Sequence, residues 1–318
     1  MDAAVLHEHG STPRFGAFAE PVAGPGQVVV EVAAAALHPL DLHKATGTFY
    51  TGPPPLPSVV GTDGVGRLAD GRRVYFNPTV PPHGSMAERT VMPEELLFGV
   101  PDGIDDAVAA AIGNPGMAAW LALADRAQLQ PGETVLVLGA TGATGNIAVQ
   151  AARILGAGRV VAAARPSERL DRLIERGADA VVELGGDPTD AIRAATDGGP
   201  DVTVDLLWGE PALAAMRAAA LHARHVQIGN SAGPSIVLDA PAIRSLSLDV
   251  RGFSLVRPTV EARRAAYGHV AEHVRRGEIV VDVDPMPLDR VAAAWERQRE
   301  EPGGAKIVLL VGERSQGT

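Results

Sequence analysis

The middle of the chain alternates short, continuously apolar runs with stretches of helical periodicity. Residues 134–138 and 159–164 are apolar over nearly their whole length, which is typical of strands that are buried on both faces. Residues 147–155, 168–176 and 211–221 instead repeat apolar positions at helical spacing. The alternation continues through apolar runs at 180–182, 202–207 and 225–228. Strands separated by helices require crossover connections, so this part is predicted to form a doubly wound parallel sheet of the α/β class.

The segment before this region has a different pattern of apolar runs and turns. Residues 1 to about 112 contain short strand-like runs between turns rich in glycine and proline. One such run, at 59–68, is broken by Gly61, Gly64 and Gly66, as expected of a strand that bends. This part is predicted to be a small, irregular β-barrel.

The segment after residue 229 is mixed again. A helix is predicted at 260–276 and strands at 280–283 and 306–311. A further helix is predicted at 291–299, with Asp289 as its N-cap. We expect this part to return to the first domain and complete it.

Composition narrows the class of protein. The 318 residues suffice for two domains, and 46% hydrophobic with 21% charged residues is typical of a globular chain. A formal net charge of −10 disfavours nucleic acids and anionic membranes as partners. The chain has no cysteine, which excludes disulfides and Cys-ligated zinc and fits a reducing cytoplasm. No signal peptide and no apolar run of roughly 18 residues are visible, so a cytoplasmic protein is expected.

The most informative segment joins the first buried strand to the next helix. It reads Gly139-Ala140-Thr141-Gly142-Ala143-Thr144-Gly145, followed by Asn146 and Ile147. Glycine permits a tight turn and a close backbone approach to a pyrophosphate, which then lies at a helix N-terminus where free N–H groups favour anions. These nine residues are therefore predicted to contact a dinucleotide. The alternative is that the glycines only turn the chain between strand and helix.

The residue after the second strand indicates which dinucleotide is bound. NAD sites usually place Asp or Glu there to bind the ribose hydroxyls. This chain has Arg165, twenty residues beyond Gly145, and Arg169 one helical turn later. Guanidinium groups make paired hydrogen bonds to phosphate oxygens, so the two arginines favour the 2′-phosphate of NADPH over NADH. Alternatively, Arg165 is a solvated arginine at the start of a helix.

Several segments, taken in order, resemble one known family. The early ones are Leu37-His38-Pro39-Leu40-Asp41, Gly61-Thr62-Asp63-Gly64-Val65-Gly66 and Gly84-Ser85-Met86-Ala87-Glu88. The later ones are Pro131-Gly132-Glu133-Thr134-Val135-Leu136-Val137 with the glycine loop, Ile228-Gly229-Asn230-Ser231 and Lys306-Ile307-Val308-Leu309. Over nearly its whole length the chain resembles the zinc-independent quinone oxidoreductases of the medium-chain dehydrogenase/reductase superfamily.

The resemblance implies two domains. Residues 1–113 and 256–318 would form a GroES-like β-barrel catalytic domain, and residues 114–255 a Rossmann domain that binds NADPH. It also implies an NADPH-dependent reductase that is commonly a homodimer. Relatives often pair the edge strands of two Rossmann sheets, and residues 247–253 would be the matching strand here.

The resemblance and the strand order together suggest further cofactor contacts. Asn114 and Met117 fall in a region that lines the nicotinamide cleft in relatives. Gly229, Asn230 and Ser231 follow a strand at its carboxyl end, where open sheets bind ligands. All five residues are predicted to contact the cofactor.

Three further side chains are candidates for the chemistry. Tyr50 could donate a hydrogen bond to the negative charge that develops on a carbonyl oxygen, or only form a pocket wall. His38 stands where relatives usually carry Asn and is either a cofactor or substrate contact or a packed loop histidine. Lys306 is either a contact to the phosphates of the cofactor or a surface lysine.

The spacing of His38, Asp41 and His43 raises the question of a metal site. Zinc-dependent relatives carry a further histidine directly before the acidic residue that is Asp63 here, and this chain has Thr62 at that position. A catalytic zinc needs about three protein ligands. At most two can be named here, so no metal is predicted.

These features predict an NADPH-dependent, zinc-independent reductase of quinones or conjugated carbonyl compounds. Such substrates are electrophilic enough to accept hydride without a Lewis acid, while the protein supplies position and field. Two alternatives stay open. One is an enoyl-thioester or 2-alkenal reductase of a biosynthetic pathway, and the other is a protein that binds NADPH without turnover.

Overall fold

The structure, a computed structural model, describes residues 1–49, 52–301 and 303–312. The chain divides into two compact units. The first comprises Met1–Asn114, Tyr267–Arg276 and the residues from Val281 onward, and the second comprises Pro115–Ala266 and Gly277–Val280. The chain therefore passes out of the second unit at Ala266 and returns to it for Gly277–Val280, whereas the expected boundary is at residue 255.

Antiparallel strands dominate the first unit. They are β1 (Asp2–Leu6), β2 (Arg14–Ala17), β3 (Gln27–Ala36), β4 (Ser58–Val59), β5 (Gly64–Arg67), β6 (Arg73–Phe76), β7 (Arg89–Pro93) and β8 (Leu97–Gly99). The order β2-β1-β4 forms a small sheet, while β3, β5, β6 and β8 are successive neighbours in a larger one, with β7 paired to β3. Helices α1 (Pro39–Ala45) and α2 (Asp106–Ala111) belong to this unit, and α3 (Gly113–Leu121) begins in it but continues into the second unit.

Two glycines let strands β3 and β5 approach closely. A Cβ atom on Gly64 would lie 2.7 Å from the carbonyl oxygen of Ala34, and one on Gly66 would lie 2.3 Å from that of Glu31. No side chain fits at either distance. The interrupted run at 59–68 is thus two strands, β4 and β5, and the glycines of β5 are required by the backbone of β3.

A six-stranded parallel sheet forms the centre of the second unit. Its strands are β9 (Thr134–Leu138), β10 (Arg159–Ala164), β11 (Ala180–Glu183), β12 (Val202–Asp205), β13 (Arg224–Gln227) and β14 (Asp249–Gly252). The helices are α4 (Ala143–Ile154), α5 (Glu168–Asp171), α6 (Thr189–Ala195), α7 (Gly209–Ala218) and α8 (Ala240–Leu246). Every strand pair is parallel, in the order β11-β10-β9-β12-β13-β14. This is the Rossmann order, and it confirms the predicted doubly wound fold.

The apolar runs form the core of this sheet. Leu136, Leu138, Val161 and Ala163 are fully buried and pack in one cluster with residues of α6 and α7. The strands are covered on both faces, which is why they read as continuous apolar runs rather than as alternating ones. The order of the strands reverses between β9 and β12, so the carboxyl ends of these two strands mark the switch point of the sheet.

The end of the chain pairs with strands near its beginning. It contains α9 (Val260–Arg275), β15 (Val283–Pro287), α10 (Val291–Glu300) and β16 (Lys306–Leu310). Strand β16 runs antiparallel to β3 and parallel to β15, which extends the larger sheet of the first unit. The larger sheet therefore unites residues from both ends of the sequence.

Three local predictions were wrong. The strand expected at 280–283 begins only at Val283, because the side chain of Gln150 occupies both the N–H and the carbonyl of Val280. Asp289 is not the N-cap, because it lies inside a 3₁₀ turn and Arg290 occupies the N-cap position of α10. The helix expected at 168–176 ends at Asp171, because the backbone continues with i→i−3 bonds such as that from Ile174.

Helix α9 carries one of the best-packed side chains of the first unit. Tyr267 stacks on Tyr75 with ring centroids 4.5 Å apart, and its hydroxyl donates to the carbonyl of Ala109. Both rings are fully buried, and Gly113 lies against Tyr75 with no room for a Cβ atom.

Among the helices of the described residues, none has the length and apolar character that crossing a membrane requires.

We predict that Gly113→Ala destabilises the protein by about 1–3 kcal/mol or more, because the new methyl group would lie 2.0 Å from the Tyr75 ring. Gly268→Ala is the control, since that helical glycine faces open space. Its replacement should stabilise α9 by up to about 1 kcal/mol. Urea unfolding of both variants measures the difference. Equal stability of the two variants would show that Tyr75 moves aside without cost.

Candidate functional site

The glycine loop leaves the centre of the parallel sheet and is tied to the neighbouring strand. Gly139 follows β9 with a φ of 79°, a conformation that favours glycine. The N–H groups of Gly139 and Ala140 both donate to the carbonyl of Ala163 in β10, at 2.8 and 3.2 Å. The turn is therefore held at the switch point of the sheet.

Helix α4 starts close against this turn. A Cβ atom on Gly145 would lie 2.3 Å from the carbonyl oxygen of Gly139, so only glycine fits there. Gly142 is the N-cap, and the first i→i−4 bond of the helix runs from Asn146 to Gly142. The N–H groups in the first turn of α4 have no acceptor within the helix. Together with the helix dipole they form a cradle for an anion.

The nine predicted loop residues divide into two groups. Ala140, Gly145 and Ile147 are buried and hold the loop against the sheet. The partly exposed residues are Gly139, Thr141, Gly142, Ala143, Thr144 and Asn146. The backbone geometry fits a bound pyrophosphate, while the individual contacts stay predictions.

The two predicted phosphate-binding arginines lie next to this loop in the sheet order. Arg165 directly follows β10, the strand beside β9, and Arg169 lies in α5. Both side chains are exposed. Both positive charges thus lie at the carboxyl edge of the sheet, where the dinucleotide is expected.

A second turn at the same edge contains Gly229, Asn230 and Ser231. It follows β13, and the hydroxyl of Ser231 donates to the carbonyl of Leu206 at 3.2 Å. A Cβ atom on Gly229 would lie 2.6 Å from that same carbonyl. The turn is therefore packed directly against the chain that leaves β12.

His38 lies in a buried polar network of the first unit. It is the N-cap of α1 and only 5% exposed. Its Nε2 is 2.7 Å from Oδ1 of Asp63, and its Nδ1 is 2.7 Å from Nζ of Lys306. An ammonium group can only donate, so Nδ1 accepts and Nε2 carries the hydrogen that Asp63 accepts.

Asp63 is the buried anion of this network. Besides His38, it accepts hydrogen bonds from the Tyr75 hydroxyl at 2.7 Å and the Asn114 N–H at 3.2 Å. Burial alone raises the pKa of this carboxyl, but the interaction with His38, the hydrogen bond from Tyr75 and the charge of Lys306 outweigh it and hold the pKa below its usual value. Asp63 is therefore ionised.

Lys306 is the matching cation, and the surface alternative for it was wrong. The side chain is 6% exposed, and its ammonium donates to the Leu37 carbonyl at 2.6 Å as well as to His38. Burial lowers the pKa of Lys306 to about 8, against the opposing charges of Asp63 and Asp41. A contact of Lys306 to cofactor phosphates stays a prediction, although two protein acceptors already occupy this group.

A second branch of the network surrounds Asp41. Its carboxylate accepts the N–H of His38 at 2.8 Å and the hydroxyl of Thr62 at 2.6 Å. The Thr62 hydroxyl in turn accepts from Lys44 at 3.0 Å. Each hydrogen-bond donor in this branch thus meets an acceptor, as buried polar groups require.

The donor set of this network does not fit a zinc ion. His38 presents its free ring nitrogen to the ammonium of Lys306, a cation that would repel a second one. Across the part of the chain that the structure describes, no group of three or more His, Cys, Asp or Glu side chains is arranged to hold a metal. The position of a zinc-binding histidine is filled by Thr62, whose hydroxyl serves Asp41.

Three predicted site residues remain: Asn114, Met117 and Tyr50. Asn114, the second residue of α3, is half-buried, whereas Met117 in the same helix is fully buried. Tyr50 lies outside the described residues. The roles of these three residues stay predictions.

Three buried polar side chains near the predicted residues, Tyr75, Asp205 and His225, were not predicted from the sequence. Tyr75 belongs to an ordinary strand pattern, and nothing in the sequence indicates its bond to Asp63. Asp205 ends an apolar run next to the switch point, and His225 begins another, but their pairing at 2.9 Å depends on the strand order. A carboxylate at the carboxyl end of a buried strand is the signal that could have drawn attention to Asp205.

Comparison with known proteins agrees with this geometry. A family model described as zinc-binding dehydrogenase matches residues 143–269, a region that excludes His38 and Asp63. The quinone oxidoreductase-like protein 2 homolog of Nematostella vectensis is 31% identical over 309 residues, which are 90% of this chain and 82% of that protein. The quinone oxidoreductase of Thermus thermophilus, solved also in complex with NADPH, is 30% identical, with a TM-score of 0.83 over 98% of this chain and all of that one.

The chain belongs to the quinone oxidoreductase group of the medium-chain dehydrogenase/reductase superfamily. It also matches part of a much larger protein. A phenolphthiocerol/phthiocerol polyketide synthase of Mycobacterium tuberculosis is 30% identical over 303 residues, which are 90% of this chain. This chain spans only 14% of the length of that synthase.

The buried lysine predicts a dependence of stability on pH. The pKa of Lys306 is about 8 in the fold and near 10.5 when unperturbed, so the unfolded chain binds more protons between these values. The free energy of unfolding should therefore rise with pH in this window, on the order of 2 kcal/mol from pH 8 to 10. Urea unfolding at stepped pH measures this rise.

The chain offers a matched control, because Lys44 and Lys306 are its only two lysines. Lys306→Met should abolish the rise, whereas Lys44→Met should keep it. A rise that is unchanged in Lys306→Met would mean that another group causes it.

Proposed function

We propose that this protein is an NADPH-dependent, zinc-independent reductase of quinones or conjugated carbonyl compounds. The observation that carries the proposal is the glycine loop at the switch point of a Rossmann sheet, with Arg165 and Arg169 at the end of the adjacent strand. The similarity to the Thermus quinone oxidoreductase, which was solved with NADPH, supports the same cofactor.

The chain's own groups would bind the cofactor in three places. The N-terminal turn of α4 would hold the pyrophosphate with its free N–H groups. Arg165 and Arg169 would hold the 2′-phosphate, since guanidinium matches phosphate geometry. The turn at Gly229, Asn230 and Ser231 would contact the cofactor at the same edge of the sheet. When bound, NADPH supplies the hydride.

The proposal of a reaction without zinc rests on the chemistry of the side chains. The chain has no cysteine, and the one free ring nitrogen of His38 already accepts from Lys306. The negative charge that develops on the substrate oxygen would then be stabilised by hydrogen bonds or delocalised within the substrate itself. Quinones and conjugated enones delocalise that charge. Roles for Tyr50 or His38 as contacts to the substrate stay predictions.

A second candidate is reduction of an enoyl thioester. It is favoured by the similarity to the polyketide synthase, which extends over 90% of this chain. The reaction has the same form, because hydride adds to the alkene carbon conjugated with a carbonyl group. The two candidates differ in the substrate and not in the cofactor.

Assembly and compartment are part of the proposal. Strand β14 is at the edge of the six-stranded sheet, and its Val250 is 39% exposed. An open edge strand offers unpaired N–H and carbonyl groups to a second copy, which supports a homodimer. The cytoplasm stays the expected compartment.

We predict NADPH oxidation when a benzoquinone, a naphthoquinone or a 2-alkenal is added to the protein. The measurement follows the nicotinamide absorbance for each substrate, with a crotonyl thioester as the competing candidate and NADH as the control cofactor. Turnover of the thioester alone would favour the second candidate. Tight NADPH binding without any turnover would contradict both and indicate a binding protein.

We predict that Arg165→Gln weakens NADPH binding about 10- to 100-fold and leaves NADH binding unchanged. The variant removes a charged hydrogen bond to the 2′-phosphate, and such bonds contribute about 1.5–3 kcal/mol. Titration calorimetry with both cofactors measures the effect. Arg244→Gln, an exposed arginine of α8 in the same unit, is the matched control. An equal loss for NADH would mean that Arg165 does not read the 2′-phosphate.

A further inference from the structure

Asp205 is a buried carboxylate with no role in the function proposed so far. It is the last residue of β12, the strand beside β9 at the switch point of the sheet. Its side chain is fully buried, and no cation of lysine or arginine pairs with it among the contacts of the described residues. A carboxylate in such a position requires several hydrogen-bond donors.

Three donors satisfy this carboxylate. Oδ1 accepts the N–H groups of Leu207 and Trp208, at 2.8 and 2.9 Å. Oδ2 is 2.9 Å from Nε2 of His225 in the next strand, β13. Because an ionised carboxylate only accepts, Nε2 of His225 carries the hydrogen. Asp205 thus connects the turn after its own strand with the middle of the neighbouring one.

The turn that Asp205 holds has an unfavourable backbone conformation. Trp208 has φ 57° and ψ −159°, values that a residue with a Cβ atom rarely adopts, and Gly209 follows with φ 64°. Such a conformation persists only where surrounding contacts enforce it. The bonds from the N–H groups of Leu207 and Trp208 to Asp205 are such contacts, and the second of them comes from the strained residue itself.

This turn packs against the glycine loop. A Cβ atom on Gly139 would lie 3.0 Å from Cδ2 of Leu207 and 3.3 Å from Cβ of Leu206. The two leucines therefore limit where Gly139 can lie, and with it the start of the loop that leads into α4. A displaced turn would move or release the proposed pyrophosphate cradle.

The same turn also holds the second proposed cofactor loop. The backbone carbonyl of Asp205 accepts the N–H groups of Ile228 and Gly229, at 2.8 and 3.2 Å. The carbonyl of Leu206 accepts the Ser231 hydroxyl, and that of Leu207 accepts the Ala232 N–H at 2.8 Å. Residues 205–207 are thus the common support of both loops.

His225 adds a second constraint on the carboxylate. It is 1% exposed, its ring lies edge-on to Trp208 with centroids 6.3 Å apart, and its Nδ1 has no hydrogen-bond partner in the described part of the chain. Its one polar contact is therefore Asp205. The imidazole thus contacts both the carboxylate of Asp205 and the ring of Trp208.

From these contacts we infer that Asp205 is a positioning residue of the dinucleotide site, which aligns the glycine loop and the Gly229–Ser231 turn through the strained turn at 206–209. The inference rests on the proposed function, because it assumes that these loops bind NADPH. Asp205 touches neither loop through its side chain, so its effect on the cofactor acts through Leu206, Leu207 and the backbone.

The test compares two ligands in Asp205→Ala and Asp205→Asn. One ligand is NADPH, and the other is adenosine 2′,5′-bisphosphate, which keeps the 2′-phosphate but lacks the nicotinamide half. Asp205→Ala should weaken NADPH binding roughly tenfold or more and the bisphosphate by no more than about threefold. Asp205→Asn keeps an oxygen for the N–H groups of Leu207 and Trp208 but offers His225 a donor. Its loss of affinity should therefore be smaller than that of Asp205→Ala, and again larger for NADPH than for the bisphosphate.

Asp201→Ala is the matched control. Asp201 precedes the same strand, and its carboxylate accepts the N–H of Thr134 at the opposite, amino end of the sheet. This variant should lose stability but bind both ligands as the unmodified protein does. Thermal unfolding of all variants with and without NADPH reports the folded fraction, so that affinities refer to folded protein.

The outcomes separate the inference from the function on which it rests. Failure of the unmodified protein to bind NADPH would overturn the proposed function itself. If the unmodified protein binds NADPH but the folded Asp205 variants bind both ligands unchanged, or lose both equally, the positioning role is overturned. A selective loss of NADPH that decreases from Asp205→Ala to Asp205→Asn supports it.

Discussion

The contact between Gly145 and the carbonyl of Gly139 is the constraint on which the second unit depends. A Cβ atom on Gly145 would lie only 2.3 Å from that carbonyl oxygen, so the lack of a side chain lets the first turn of α4 pack directly against the end of the preceding strand. This contact sets the direction of α4 and leaves the first N–H groups of the helix pointing away from the sheet at its switch point. The positions of Arg165, of the Gly229–Ser231 turn and of Asp205 matter for a dinucleotide only because the cradle lies at that place.

Charge compensation is the corresponding constraint in the first unit. Asp63, Asp41 and Lys306 are all buried, and isolated charges in such positions would be strongly unfavourable. Neutral His38 connects the cation to one anion, and Thr62 and the α1 N-terminus satisfy the other. Removing one partner of such a network leaves the others uncompensated, so its members depend on one another. The network links α1, β5, β6 and β16 within a single cluster.

The site residues differ in how far local sequence predicts them. The glycine loop and Arg165 could be predicted as candidates because they belong to one continuous strand–loop–helix segment and its next strand. His38 and Lys306 are separated by more than 260 positions, and their contact depends on β16 pairing with β3. The sequence could therefore suggest each residue but not their bond, and it placed Lys306 on the surface as one alternative. Asp205 was overlooked because its partners come from the next turn and the next strand.

The sequence by itself determined the parallel sheet, the glycine turn and the charge at the end of the second strand. These features follow from local rules: apolar runs bury strands, glycine permits close backbone approach, and short connections keep neighbouring segments together. Only the tertiary structure decided which polar side chains meet, where the chain passes from one unit to the other, and that Val280 is held by Gln150 instead of a strand. Those outcomes depend on contacts between residues far apart in the chain, and no local periodicity encodes such contacts.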